Sequence, residues 1–138
     1  MPRINIPEVF CLSFENLNVD INSRSDLSAD VSLIFIFPNG QSTFEEIQLW
    51  FDMVEWREWL TKLKSGAYDG IEIHDLSRKF TISFFSAGLQ IKVKISINRA
   101  ILSRGYARAD YEVKTETDTI NRFSSFMFTI LDEYNLIV

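Results

Sequence analysis

The order of elements read along this chain predicts an α+β domain: an antiparallel sheet of about six or seven strands with two helices packed against its apolar face. Three observations predict it. Apolar residues alternate with period two over several segments, and two other segments repeat at helical intervals. Every connection between strands is also short enough for a hairpin, whereas parallel pairs need a long crossover.

Phe10, Leu12 and Phe14 form the first apolar row, a half-buried strand. Asn16 to Ser25 is polar and reads as turn-rich. Leu27, Ala29, Val31, Leu33, Phe35 and Phe37 then occupy successive odd positions, and Pro38-Asn39-Gly40 supplies turn chemistry. A return strand runs from Thr43 to Phe51. Pairing Leu33 with Ile47, Val31 with Leu49 and Ala29 with Phe51 places each apolar row on one face, and a one-residue slip would break that agreement.

Asp52 is placed to cap a helix, with Glu55 at capping-box spacing. Met53, Trp56, Leu60 and Leu63 make its apolar stripe, Trp59 widens it, and Gly66 ends it. Ile71 and Ile73 mark a short strand; Phe80, Ile82 and Phe84 mark the next. The cleanest strand sends Leu89, Ile91, Val93, Ile95 and Ile97 inward. Its expected partner is Tyr106–Lys114, matching Ile95 with Ala109, Val93 with Tyr111 and Ile91 with Val113. That register also sets Lys94 against Asp110 and Lys92 against Glu112. A second helix starts between Thr115 and Asp118, with Ile120, Phe123, Met127, Ile130, Leu131 and Tyr134 along one stripe. Leu136-Ile137-Val138 is apolar enough to dock. No linker, low-complexity stretch or sequence repeat is read, and the two strands-then-helix halves share order without matching residues.

The chain of 138 residues is the usual size of one domain, expected to span 1–138. At this length it can bury roughly two-thirds of its unfolded surface, so a fold without metal or disulfide is expected. The formal net charge of -5 disfavours nucleic acid and anionic membranes and suits a basic partner. Cys11 is the one cysteine, which fits a reducing compartment, and no signal-peptide h-region or membrane-length apolar run is read. A cytoplasmic location is the expectation.

Residues able to carry chemistry are few. His74 is the sole histidine, with Glu72 on the same strand face and Asp75 adjacent. A zinc site usually draws three or four ligands from Cys, His and carboxylates, and only carboxylates are near here. An exposed strand-end histidine beside Lys79 is the plainer reading. Cys11 lies between Phe10 and Leu12 with no flanking nucleophile motif. The five glycines, at 40, 66, 70, 88 and 105, form no phosphate-binding cluster. No catalytic residue, cofactor or metal is therefore assigned, and a non-enzymatic role is expected.

Interaction chemistry is better represented. Trp50, Trp56 and Trp59 lie close together in sequence, and tryptophan is enriched at interface hot spots. Trp56 belongs to the helix stripe; Trp50 alternates away from Ile47, Leu49 and Phe51, towards a surface. The carboxylates Glu45, Glu46, Asp52, Glu55 and Glu58 form one loose group, and Asp69, Glu72 and Asp75 a second. A solvated face with helix caps explains them plainly. The functional alternative is an acidic surface for a basic partner, with Glu45, Glu46, Trp50, Glu55, Glu58, Asp69, Glu72 and Asp75 as its candidate residues.

Several segments resemble the small immunity proteins of bacterial polymorphic-toxin and contact-dependent inhibition systems, particularly the WapI-type group. They are the Trp-rich helix Trp56-Arg57-Glu58-Trp59-Leu60-Thr61-Lys62-Leu63, the short strand Ile71-Glu72-Ile73-His74 and the aromatic strand Phe80-Thr81-Ile82-Ser83-Phe84. A long amphipathic strand and a closing helix complete a likeness of layout from Phe44 to Tyr134. The chain departs from the group after the short strand, where His74-Asp75-Leu76 stands in place of a Glu-Pro pair. The resemblance implies a non-catalytic protein that neutralises a cognate toxin, here a basic toxin domain, by stoichiometric binding. It carries over no individual residue, because immunity surfaces differ with the toxin. The rival reading is a non-catalytic adaptor or structural interaction module, for example a homodimer formed through an exposed strand edge. A small hydrolase centred on His74 is the third.

Overall fold

The structure, a computed structural model, describes residues 2–20, 22, 26–100 and 106–133; at 99, 100, 106 and 107 only the backbone is described. The chain is α+β, but its strands form two antiparallel sheets of four rather than one of six or seven. The first holds β1 (Arg3–Ile6), β2 (Phe10–Val19), β3 (Asp26–Phe37) and β4 (Gly40–Asp52), followed by α1 (Met53–Lys64). The second holds β5 (Glu72–His74), β6 (Phe80–Ala87), β7 (Gln90–Ala100) and β8 (Tyr106–Thr115), followed by α2 (Asp118–Glu133). In both sheets the spatial order is the chain order. Each strand pairs with its sequence neighbour, and α1 separates β4 from β5, so two local meanders form.

The two halves match in residues as well as order, contrary to the expectation of no repeat. Buried Ile4, paired with Leu12, recurs as Ile73, paired with Ile82; the Pro2 and Ile71 carbonyls accept the Phe14 and Phe84 N–H groups alike; and Phe10, Leu12 and Phe14 recur as Phe80, Ile82 and Phe84. Met53, Trp56, Leu60 and Leu63 of α1 recur with the same spacing as Ile120, Phe123, Met127 and Ile130 of α2. The hairpin loops differ in length between the halves, which hides the repeat from any comparison at a fixed period. Each helix lies beside the first strand of the other half, α1 beside β5 and α2 beside β1.

The helices join the sheets into one core. Phe123 of α2 meets Phe10 of the first sheet at 6.1 Å and Phe84 of the second at 4.9 Å. Trp56 of α1 packs on Phe14 and Phe51, and its indole N–H donates to the Met127 carbonyl of α2 at 3.1 Å. Elsewhere the sheets touch directly, with Phe35 stacked on Tyr111 at 4.5 Å. Asp52 caps α1 by accepting the Val54 N–H at 2.9 Å. Beyond Ser65, Gly66 (φ +85°) donates to the Leu63 carbonyl and Ala67 to that of Lys62, the paired bonds of a Schellman ending.

Both predicted strand registers are displaced. In β3–β4, Ala29 faces Leu49 and Leu27 faces Phe51, two residues from the expected pairing. Past a bulge at Gln48 (φ +56°), Val31 faces Glu46 and Leu33 faces Phe44. The bulge absorbs the odd spacing between Phe44 and Leu49, so both turn to the core while Ile47 is expelled, 79% exposed. In β7–β8, Ile95 faces Tyr111, Val93 faces Val113 and Lys94 faces Glu112, again two residues from expectation. A two-residue slip preserves both faces, so alternation alone cannot detect it. The Lys92–Glu112 pair survives diagonally at 3.3 Å.

Other expectations are corrected more simply. β2 continues to Val19 through a bulge at Asn16 (φ +50°), so the first four residues of the presumed turn region are strand. Leu89 sits in the β6–β7 turn and is exposed rather than inward. Tyr134 and the apolar C-terminal residues lie outside the described residues, as do 21 and 23–25.

Candidate functional site

The seam where α1 meets β5 gathers most of the residues singled out from the sequence. Glu55 and Trp59 are one helical turn apart and face the same way. Across from them stands His74, on the outer face of β5 with Glu72. The His74 ring meets the Trp59 ring at 5.2 Å and 66°, and its Nε2 lies 3.8 Å from a Glu55 carboxylate oxygen. Its Nδ1 is 2.9 Å from the Asp75 carbonyl, so a proton on Nδ1 is bonded there and fixes the ring's orientation. His74 is thus half-buried against α1, which corrects the expectation of an exposed strand-end histidine. Trp59 provides the contact: its ring covers a position that the strand by itself would leave open.

Asp75 is also misread by the sequence. It is 1% exposed, its Oδ1 accepts the Phe80 N–H at 2.9 Å, and its Oδ2 accepts the Ser77 hydroxyl at 2.6 Å and N–H at 3.2 Å. This carboxylate closes the β5–β6 turn and is not available to a partner. Two further candidates have local partners. Glu72 accepts Arg78 Nη1 at 2.8 Å, and Asp69 accepts the Ser86 N–H at 2.9 Å. Both nevertheless stay exposed, as do Glu45 and Glu58; Glu46 and Glu55 are half-buried.

Trp50 stands at the end of this seam. It is half-buried, opposite Ser28, and its carbonyl accepts the Leu76 N–H at 2.7 Å. That bond brings the β5–β6 turn against the edge of β4. Leu76 and Val54 beside it are 53% and 51% exposed. The bond joins Trp50 to exposed Leu76, and with exposed Ile47 and Val54 and the carboxylates on the same and adjoining segments these residues make up the Trp50 strip. Sequence alternation found Trp50; nothing in the sequence signals that Leu76 joins it, because their contact links the two halves.

Among the described residues no group of three or more His, Cys, Asp and Glu side chains could hold a metal ion. Cys11 is on β2 of the first sheet, between the partners Asn5 and Ile34, whereas His74 is on β5 of the second. The two carboxylates with clearly lowered pKa lie on other strands. Asp30 is lowered by the Asn16 amide and then by the Gln48 N–H, and Asp110 by the Ser96 hydroxyl and then by Arg108. Their hydrogen bonds stabilise the charged forms and serve strand structure.

No helix among the described residues is long and apolar enough to cross a membrane. No protein-family model, curated protein or solved structure matches the chain.

Proposed function

We propose that this chain is a non-catalytic immunity protein that neutralises a basic bacterial toxin domain by stoichiometric binding through the Trp50 strip. The observation that carries the binding role is the strip itself. Ile47 and Val54, near Trp50 in the chain, and Leu76, bonded to its carbonyl, expose apolar surface, and Glu45, Glu46, Glu55, Glu58, Asp69 and Glu72 lie on the same or adjoining segments. An aromatic anchor with aliphatic neighbours and a charged rim is the chemistry of a protein-binding hot spot. The net charge of -5 favours a basic partner and speeds encounter with it. The layout resemblance to WapI-type immunity proteins supplies the toxin as that partner.

The test is protection of cells expressing the toxin domain encoded beside this chain, together with titration of that purified domain. Trp50→Ala combined with Glu58→Lys should abolish protection while leaving thermal unfolding nearly unchanged. Association should also slow as salt rises, because rim charges are screened. If the folded double variant protects as well as the parent, the strip is not the toxin-binding surface. A second reading, an adaptor that self-associates by a sheet edge, is favoured by β8, a ten-residue strand at the edge of its sheet. A dimer in solution that Glu112→Pro on β8 dissociates would select it.

A further inference from the structure

We propose that the groove between β1 and α2 is a separate recognition site, which takes an extended acidic peptide segment as an added strand on β1. The internal repeat points to it. At the equivalent seam, between β5 and α1, Trp59 and Glu55 close on His74. In α2 the corresponding positions are Phe126 and Arg122, and Glu58 and Lys62 are replaced by the shorter Ser125 and Thr129. Phe126 turns inward onto Phe14 at 5.1 Å, leaving an open groove of about 640 Å³ between helix and strand.

One bank of the groove is a strand edge. β1 is the outermost strand of its sheet, and the Pro2 carbonyl accepts the Phe14 N–H at 3.0 Å. Antiparallel pairs alternate between bonded and unbonded, so Pro2, Ile4 and Ile6 turn their backbone groups towards β2. Arg3 and Asn5 therefore turn theirs into the groove. Arg122 verifies the direction, since its Nη1 donates to the Asn5 carbonyl from the groove side at 2.9 Å. A carbonyl oxygen has two lone pairs, so an incoming N–H can share it without evicting Arg122.

The other bank sets the chemistry of the occupant. Asn121, Ser125 and Thr129 succeed one another along α2 and offer side-chain amide and hydroxyl groups rather than an apolar wall. Arg122 is paired with Asp118 at 3.2 Å, and Arg3 lines the groove with no second carboxylate among the lining residues, so the groove carries a net positive charge in a chain whose net charge is negative. An extended segment satisfies the Arg3 and Asn5 backbone groups, and acidic side chains at alternate positions meet Arg3 and compete with Asp118 for Arg122. The groove shares no residue with the Trp50 strip and does not depend on the toxin-binding reading.

The experiment selects random peptides of about eight residues, long enough to span a four-residue strand with flanks, displayed on phage, against the immobilised intact chain. Selected peptides should carry Asp or Glu at alternate positions. Their affinity should fall about tenfold or more on Ser125→Trp, which fills the groove from an exposed helix position. Arg3→Gln with Arg122→Gln should weaken binding and flatten its salt dependence. N-methylation of alternate peptide bonds should abolish binding while methylation of the intervening ones is tolerated, a signature only strand addition gives. Thermal unfolding confirms that each variant is folded, with Thr129→Trp replacing Ser125→Trp if the latter is not. The proposal is overturned if no peptides are enriched, if binding ignores both filling variants or the methylation pattern, or if the groove instead holds a second copy of the chain, seen as a dimer that Ser125→Trp dissociates.

Discussion

Asp30 holds Gln48 in the left-handed conformation: its Oδ1 accepts the Gln48 N–H at 2.8 Å, where the Gln48 φ is +56°. The same carboxylate accepts the Asn16 side-chain amide at 2.7 Å, and Asn16 has a φ of +50°. One side chain on β3 therefore braces bulges in both neighbouring strands. These are the bulges that let Phe44, Leu49 and Phe51 on one side, and Phe14 and Leu17 on the other, all reach the core.

Stability should depend on the charge of Asp30. Its hydrogen bonds depress its pKa in the folded state below the ordinary 3.8. The stabilisation is then complete above the unfolded value and is lost as pH falls through the depressed folded one. Urea midpoints of the parent and of Asp30→Ala should differ by a constant amount near neutrality and converge below pH 3.8. A gap that persists unchanged to lower pH would show that the bulges do not rely on the charged form.

Gln48 itself should respond to backbone freedom. A non-glycine residue at positive φ carries strain that glycine avoids. Gln48→Gly should change stability little or raise it by up to about 1 kcal/mol, whereas Gln48→Val should lower it by about 1–2 kcal/mol. Chemical denaturation of the two variants gives both values. If valine is tolerated, the bulge can relocate along β4.

Trp56 should be a principal anchor of the core. It is 1% exposed, touches both Phe14 and Phe51, and bonds to α2. Trp56→Ala should cost about 3–5 kcal/mol. Trp56→Phe keeps much of the ring but removes the indole N–H bond to the Met127 carbonyl, which stays in the α2 ladder, and should cost about 1–2 kcal/mol. A melting temperature within a degree or two of the parent for Trp56→Ala would contradict this packing.

Asp75 should behave unlike the other acidic candidates. Removing it leaves the buried Phe80 N–H without its acceptor and frees Ser77, so Asp75→Ala should lose about 2–3 kcal/mol. Exposed Glu58→Ala should stay within about 0.5 kcal/mol. Thermal unfolding of the pair separates a turn-closing carboxylate from a surface one, and equal melting temperatures would refute the distinction.

The sequence by itself determined the local elements. Alternating rows marked β3, β6 and β7, the Asp52 cap and the Trp56 stripe marked α1, and the Ile120–Ile130 stripe marked α2, because side-chain periodicity reports which face of one element is buried. It did not determine register, since a slip of two residues leaves every face unchanged, nor the bulge at Gln48 beyond which the slip is three residues and Ile47 turns outward. The repeat was legible in Phe-x-Leu/Ile-x-Phe and in the common spacing of the two helix stripes, but unequal loops concealed it. Only the tertiary structure decided that the strands divide into two sheets, that His74 lies under Trp59, that Leu76 joins Trp50, and that α2 leaves a groove along β1. Each of the last three joins residues from different halves of the chain. Periodicity describes one segment at a time, and which helix meets which strand is settled by how the buried faces of distant segments fit together.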